Sequence, residues 1–167
     1  MGAPIIVSAL FGDADFAWLD GLRRAHYPAE HNRVPAHLTL FQHLPPAIEP
    51  ELRDQLSAAT RGMPSPAARV TGVMRLDRGV ALRVGSPALD EIRAQLAEHF
   101  HGLLIVQDQA GWRPHITIQN KVEPSAARAL ADTLEQAFRP RPLAIAGLAA
   151  WRYRGGLWEP LSRHRFG

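Results

Sequence analysis

Cysteine is absent from this chain of 167 residues, and no apolar run approaches the length of a membrane-spanning helix. Without cysteine the chain has no disulfide, no thiol nucleophile and no thiolate ligand for a metal. Residues 4–11 are apolar, but they are few and lack the basic start of a signal peptide. The sequence therefore predicts a cytoplasmic protein that does not associate with membranes.

Lysine is almost absent as well, so the positive charge is carried by arginine. Lysine and arginine together number 19, all but Lys121 are arginine, and the net charge is +3. Guanidinium groups suit bidentate phosphate binding, although a GC-rich genome produces the same arginine bias. The charge is compatible with a phosphate-bearing substrate and does not require a surface that coats nucleic acid.

The length and the hydrophobic fraction of 46% fit one domain, 1–167, with a core of its own. A unit of strand, helix, His-containing strand and helix occurs over 5–61, and a similar order recurs over 80–138. We therefore expect an α+β fold from a diverged duplication, with lobes at about 1–62 and 68–140 and a C-terminal hairpin at 141–167. The predicted strands are 5–11, 36–41, 68–74, 80–84, 103–106, 114–118, 143–153 and 157–166, and the predicted helices are 13–25, 50–61, 87–100 and 124–138. The first helix is expected to be capped by Asp13 or Asp15, and the third by Ser86.

Two tetrapeptides carry the most information, His-Leu-Thr-Leu at 37–40 and His-Ile-Thr-Ile at 115–118. Side chains alternate along a strand, so each phrase puts His and Thr on one face and two aliphatic residues on the other. A proline stands one or two residues before each His, Pro114 before His115 and Pro35 before His37, and favours an extended approach to the strand. One such phrase alone is typical of a buried strand with local hydrogen bonds. The matched pair, close to half the chain apart, indicates a cleft with two histidines, one to take a proton and one to give it.

At these residues the chain resembles the 2H phosphoesterase superfamily, which is named for two His-x-Thr/Ser-x motifs. Within it, the chain is most similar to the bacterial branch of 2′-5′ RNA ligase-like or cyclic phosphodiesterase-like proteins. The matching stretches are 37–41, 112–122 and 157–161. The resemblance implies a bilobal, pseudo-twofold fold, with antiparallel sheets lining a central groove and helices outside. It also implies metal-independent phosphodiester chemistry in that groove.

Proton transfer at a phosphodiester needs a base and an acid, and histidine suits both roles because its pKa lies near neutral pH. We expect His37 and His115 to form this pair, with either one as the base. Thr39 and Thr117 share their faces and can donate hydrogen bonds to non-bridging phosphate oxygens. No cofactor is predicted, and no metal, since no carboxylate cluster has metal-ligand spacing.

Five further residues are predicted to contact substrate. They are Arg113, Tyr153, Arg152, Phe41 and Gln119. Arg113 precedes a motif histidine by two positions, while Tyr153 and Arg152 are neighbours on one strand, so one face can stack a base and the other bind phosphate. Structural alternatives stay open: a surface charge for Arg113, core packing for the two aromatic rings, and a strand-end hydrogen bond for Gln119.

The predicted function is the opening of 2′,3′-cyclic phosphates, or the cleavage or joining of 2′-5′ linkages, in RNA or small nucleotides. The predicted partners are RNA ends or small nucleotide substrates, with no obligate protein partner. Two alternatives remain at this stage. One is a non-catalytic RNA- or nucleotide-binding module. The other is a hydrolase of a different cyclic phosphoester, such as a cyclic ADP-ribose phosphate.

Overall fold

Two antiparallel sheets of four strands each form the framework of the computed structural model, which describes residues 2–167. The strands are β1 (Ile5–Phe11), β2 (Leu38–Leu44), β3 (Ala68–Leu76), β4 (Gly79–Gly85), β5 (His115–Gln119), β6 (Arg141–Leu143), β7 (Ile145–Arg154) and β8 (Leu157–Arg165). The helices are α1 (Asp13–His26), α2 (Glu49–Thr60), α3 (Pro87–His99), the single turn α4 (Val106–Gln109) and α5 (Pro124–Ala137). Short 3-10 turns lie at Ala29–His31 and Pro46–Ile48. Among the described residues, no helix combines the length and apolarity needed to cross a bilayer.

The two sheets have equivalent strand orders, β2-β1-β7-β8 and β5-β4-β3-β6. In each sheet an edge strand carries one of the His-x-Thr motifs and pairs with the strand that begins the repeated unit, β1 or β4. The two edge strands, β2 and β5, contact one another. The predicted α+β fold with antiparallel sheets is confirmed.

The C-terminal hairpin completes the first sheet, although it is far from β1 in the sequence. β1 pairs with β7 along the whole length of β1, and β8 pairs with β7 on the other side. The preceding strand β6 instead pairs with β3 in the second sheet. The chain therefore passes from one sheet to the other between Leu143 and Ile145.

Aliphatic residues of the two motifs anchor the edge strands in the core. Leu38 and Leu40 of β2, and Ile116 and Ile118 of β5, are each at most 1% exposed. Burying a side chain of this size contributes about 1.5–3 kcal/mol. This burial fixes which face of each strand turns inward and leaves the histidine and threonine on the other face.

The helix starts agree with the sequence at α3 and differ at α1. Ser86 caps α3 as predicted, because its Oγ accepts a hydrogen bond from the Leu89 N–H at 3.2 Å. The prediction for α1 is wrong: Gly12 is the N-cap residue and makes no side-chain cap. The Asp15 carboxylate instead accepts a hydrogen bond from the Ala144 N–H at 2.7 Å, which ties α1 to the segment joining the two sheets.

The predicted strand at 103–106 is also wrong. The chain there runs into α4, closed by hydrogen bonds from Gln109 N to Ile105 O and from Ala110 N to Val106 O. Val106 is 80% exposed, so the apolar side chains of this segment do not fill a sheet. A buried Asp108 holds the turn against β2, because its carboxylate accepts hydrogen bonds from the main-chain N–H groups of Gln42 and His43.

Candidate active site

A groove of about 620 Å³ lies where the two sheets meet at their edge strands. It is lined by both strands with motifs, by the segment around α4 and by the C-terminal hairpin. Six of the predicted site residues line it: His37, Thr39, Arg113, His115, Thr117 and Tyr153. The groove therefore brings together residues from the two halves of the chain.

Each motif histidine is held in the same way by its own main chain. Nδ1 of His37 lies 2.8 Å from the carbonyl oxygen of Pro35, and Nδ1 of His115 lies 2.8 Å from that of Arg113. A carbonyl oxygen can only accept a hydrogen bond, so Nδ1 is the protonated nitrogen in both rings. Nε2 is therefore the atom left to exchange a proton, in both cases.

The environment of His37 favours the neutral imidazole. The ring of Trp158 packs against it with the two centroids 4.4 Å apart. Burial lowers the pKa of His37 from its ordinary value of 6.5 to about 4, and the charges of Arg23 and His115 act in the same direction. At neutral pH, Nε2 of His37 is thus a hydrogen-bond acceptor and able to take a proton.

Thr39 and Thr117 are half-buried beside the two histidines, and their main chains are anchored from outside their own sheets. The carbonyl of Thr39 accepts a hydrogen bond from Trp112 Nε1 at 3.0 Å, and that of Thr117 accepts one from Arg23 Nη1 at 2.9 Å. Within residues 2–167 neither hydroxyl has a hydrogen-bond partner. Both hydroxyls can donate to an oxygen atom placed in the groove.

Three predicted contact residues lie away from the groove. Phe41 is 1% exposed beneath the guanidinium of Arg93, and Gln119 is 7% exposed. Arg152 forms an ion pair with Glu49 of α2 on the outer face of the sheet, because it alternates with Tyr153, which faces the groove.

A β-bulge explains the burial of both Phe41 and Gln119. In β2 the register with β1 shifts between Thr39 and Phe41, and in β5 the register with β4 shifts between Thr117 and Gln119. An inserted residue breaks the alternation of faces. The fourth residue after each histidine therefore turns into the core at the same point of both motifs, which corrects the two predicted substrate contacts.

Several groove residues lacked a strong signal in the sequence. Trp112 and Trp158 fall within the stretches that carry the family resemblance, and those stretches were the signal that could have found them. Arg93 and Asp108 had no comparable signal, since their partners are remote in the chain. Asp108 is 3% exposed, and its carboxylate accepts hydrogen bonds from the N–H groups of Gln42 at 3.0 Å and His43 at 3.1 Å.

Arg93 completes this attachment of α4 to the floor of the groove. Its Nη2 donates to the carbonyl of Asp108 at 2.6 Å, and its Nε donates to that of Leu40 at 3.1 Å. In the part of the chain that the structure describes, no three His, Asp or Glu side chains are grouped to hold a metal ion.

A bilobed α+β fold with paired His-x-Thr motifs at a shared groove defines the class of 2H phosphoesterases. The sequence profile of the 2′-5′ RNA ligase superfamily matches residues 11–157, and the chain belongs to that superfamily. This membership supports an enzyme that acts on phosphoesters. A search of curated protein sequences gives no significant match.

Solved structures share the fold over essentially the whole chain. TT0787 of Thermus thermophilus is 18% identical, with a TM-score of 0.66 over 98% of this chain and 97% of that protein. A protein described as a phosphoesterase is 18% identical, with a TM-score of 0.67 over 99% of both chains. E. coli LigT in complex with 3′-AMP is 16% identical, with a TM-score of 0.62 over 99% of both chains.

Proposed function

We propose that this protein is a metal-independent phosphodiesterase that opens 2′,3′-cyclic phosphates, or cleaves or joins 2′-5′ linkages, in RNA or small nucleotides. One observation carries the proposal: two histidines from different sheets line one groove, each with Nδ1 held by its own main chain. A pure binding site has no need for two imidazoles with free Nε2 atoms. The binding of 3′-AMP by E. coli LigT, which shares the fold, supports a nucleotide substrate.

His37 is the proposed base and His115 the proposed acid. In hydrolysis, Nε2 of His37 takes a proton from water as the water oxygen bonds to phosphorus. The bond from phosphorus to one ribose oxygen breaks, and protonated His115 gives its Nε2 proton to that oxygen. The lowered pKa of His37 supports this assignment, because a base must be neutral before the reaction.

The threonine hydroxyls are proposed to hold the non-bridging phosphate oxygens, where negative charge grows in the transition state. Arg113 is exposed at the groove and is proposed to attract the phosphate. Tyr153 is 44% exposed, which leaves its ring free to stack on a base. The proposal keeps the cytoplasmic location and the absence of an obligate protein partner predicted from the sequence.

The test is turnover of a 2′,3′-cyclic mononucleotide by the purified protein in the presence of EDTA. His37→Ala and His115→Ala should each reduce kcat by about 10²- to 10⁴-fold, the usual contribution of general acid-base catalysis. The matched control is His101→Ala, which removes an exposed imidazole outside the groove and should leave kcat unchanged. Circular dichroism of each variant confirms that it is folded.

The outcomes separate the alternatives. Near-complete activity in either groove variant contradicts the two-histidine mechanism, and a rate abolished by EDTA contradicts metal independence. Tight oligonucleotide binding without turnover of any phosphoester favours a binding module. Turnover of a cyclic ADP-ribose phosphate, but of no cyclic nucleotide or 2′-5′ linkage, favours the other hydrolase.

A further inference from the structure

A second groove of about 590 Å³ continues along the first sheet beyond the active groove. The two grooves share His37 and Trp158, whose packed rings form the wall between them. A molecule bound at His37 therefore has a direct path over this wall into the second groove. Nothing in the proposed reaction of the histidines uses this space.

The floor of the second groove is apolar and partly open to solvent. Phe16 of α1 is 38% exposed and Leu157 of β8 is 54% exposed, and both line the groove beside the ring of Trp151. Exposed aromatic and aliphatic surface of this kind can stack a nucleobase, whatever its identity. The Trp151 ring is fixed by a hydrogen bond from its Nε1 to Ser8 Oγ at 2.8 Å, so the floor is pre-formed.

The rim of the second groove is positively charged. Arg33, Arg163 and Arg165 line it and are exposed, against one acidic lining residue, Asp13. Within residues 2–167, none of these three arginines has an ion-pair partner. The guanidinium of Arg163 lies 5.4 Å from the centre of the Trp151 ring, which places charge directly beside apolar surface.

We propose that the second groove binds the nucleotide chain that is joined to the reacting nucleotide, so that the preferred substrate is an oligonucleotide rather than a mononucleotide. This inference rests on the proposed function. For an RNA that ends in a 2′,3′-cyclic phosphate, the occupant is the nucleotide on the 5′ side of the end. Its base lies on the apolar floor, and the arginines hold its phosphate.

Two features of the second groove support a nucleotide as its occupant: the charge of its rim and its continuity with the active groove. The excess of arginine over acid at the rim suits a polyanion, and the shared wall suits a ligand covalently joined to the one at His37. A single-stranded chain supplies alternating bases and phosphates, which matches an apolar floor beside a basic rim. A mononucleotide fills only the first groove and leaves the second without a ligand.

The test compares kcat/KM for a 2′,3′-cyclic mononucleotide with kcat/KM for a trinucleotide that ends in the same cyclic nucleotide. We expect the trinucleotide to be preferred by about tenfold, and the double variant Arg163→Gln/Arg165→Gln to lose most of that ratio. Phe16→Ala should lower the ratio through lost stacking, without a change of charge. The matched control Arg128→Gln removes an exposed arginine on α5, outside both grooves, and should keep the full ratio.

The salt dependence of trinucleotide affinity gives an independent measure of the phosphate contacts in the second groove. Each phosphate contact to a single strand adds a slope of about −0.7 to the plot of log affinity against log salt concentration. The Arg163→Gln variant should therefore reduce the slope for the trinucleotide by about 0.7, since one contact is lost. Arg128→Gln should not alter it.

The failures of the two proposals are distinguishable. Equal kcat/KM for the two substrates, with a ratio unaffected by Arg163→Gln/Arg165→Gln, overturns the second site while the proposed function stands. Turnover of neither substrate, nor of a 2′-5′-linked dinucleotide, overturns the proposed function. In that case the affinity for a 3′-phosphorylated trinucleotide decides the second site, which is supported if the double variant weakens that affinity and overturned if it does not.

Discussion

Arg23 and Arg93 cross between the two sheets in opposite directions and each binds the motif strand of the other half. Arg23 lies on α1, which follows β1, and its Nη1 donates to the carbonyl of Thr117 in β5. Arg93 lies on α3, which follows β4, and its Nε donates to the carbonyl of Leu40 in β2. The pseudo-twofold relation of the fold therefore extends to a reciprocal pair of buried cations.

Each of these arginines is 8% exposed or less, and its guanidinium lies over an aromatic ring. Arg23 sits 4.1 Å from the ring centre of Tyr27, and Arg93 sits 4.4 Å from that of Phe41. Burial lowers the pKa of both arginines. These contacts join the two halves at the strands that carry the threonines and histidines, so they set the relative position of the two motif strands.

Replacement of Arg93 by lysine should destabilise the fold. A lysine ammonium lacks the planar fork that reaches the carbonyls of both Leu40 and Asp108, so a buried acceptor loses its partner. We expect Arg93→Lys to lower the free energy of unfolding by about 1–3 kcal/mol, measured by urea denaturation. The control Arg128→Lys should change it by no more than about 0.5 kcal/mol, as is usual at the surface. Equal free energies of unfolding for Arg93→Lys and Arg128→Lys would show that the buried guanidinium contributes nothing to stability.

Asp108→Asn should loosen the end of β2. Both N–H groups donate to Oδ2 of Asp108, and that of Gln42 also lies 3.0 Å from Oδ1, so an NH₂ group in either position faces at least one main-chain N–H donor. We expect a loss of about 1–3 kcal/mol in the free energy of unfolding and faster hydrogen exchange at these two amides. Asp54→Asn changes an exposed carboxylate on α2 and serves as the control. Unchanged exchange at both amides in Asp108→Asn would contradict the structural role of the carboxylate.

Stability should decrease in mild acid because of His37. Its pKa is about 4 in the folded protein and near the ordinary value of 6.5 in the unfolded chain, so between these values only the unfolded chain binds the proton. The stabilisation is complete above pH 6.5 and is lost as the pH falls toward 4. Urea denaturation at several pH values should give a steeper decline for the unmodified protein than for His37→Gln. Parallel curves for the two proteins would exclude this contribution.

Removal of the Trp158 ring should raise the pKa of His37. The ring covers the imidazole, and its loss admits water that stabilises the charged form. We expect Trp158→Leu to move the pKa of His37 from about 4 toward 6.5, measured by NMR titration of the imidazole protons. The acidic limb of the kcat/KM profile should move in the same direction. Trp18→Leu, a change at a tryptophan outside the active groove, should leave the titration of His37 where it is.

The bulges in β2 and β5 show why side-chain alternation along a single strand does not always predict which face a residue occupies. Strict alternation puts Phe41 and Gln119 on the same face as the motif threonines, whereas the structure buries both side chains. The register shifts after Thr39 and Thr117 reverse the alternation. A bulge depends on how a strand pairs with its neighbour, and the residues near the two motifs do not predict its position.

The sequence by itself determined the two motif strands and the common face of each strand that carries its histidine and threonine. It did so because side-chain alternation is local, and the aliphatic residues at 38, 40, 116 and 118 bury one face. The period of two placed the strands and the helical spacing of apolar residues placed the helices, and together they identified the α+β class and most element bounds. The tertiary structure alone decided that Arg23, Arg93 and Asp108 join the halves, that Trp158 covers His37, and that the C-terminal hairpin completes the first sheet. Each of these relations links residues far apart in the chain, and only packing of the whole core selects the partner.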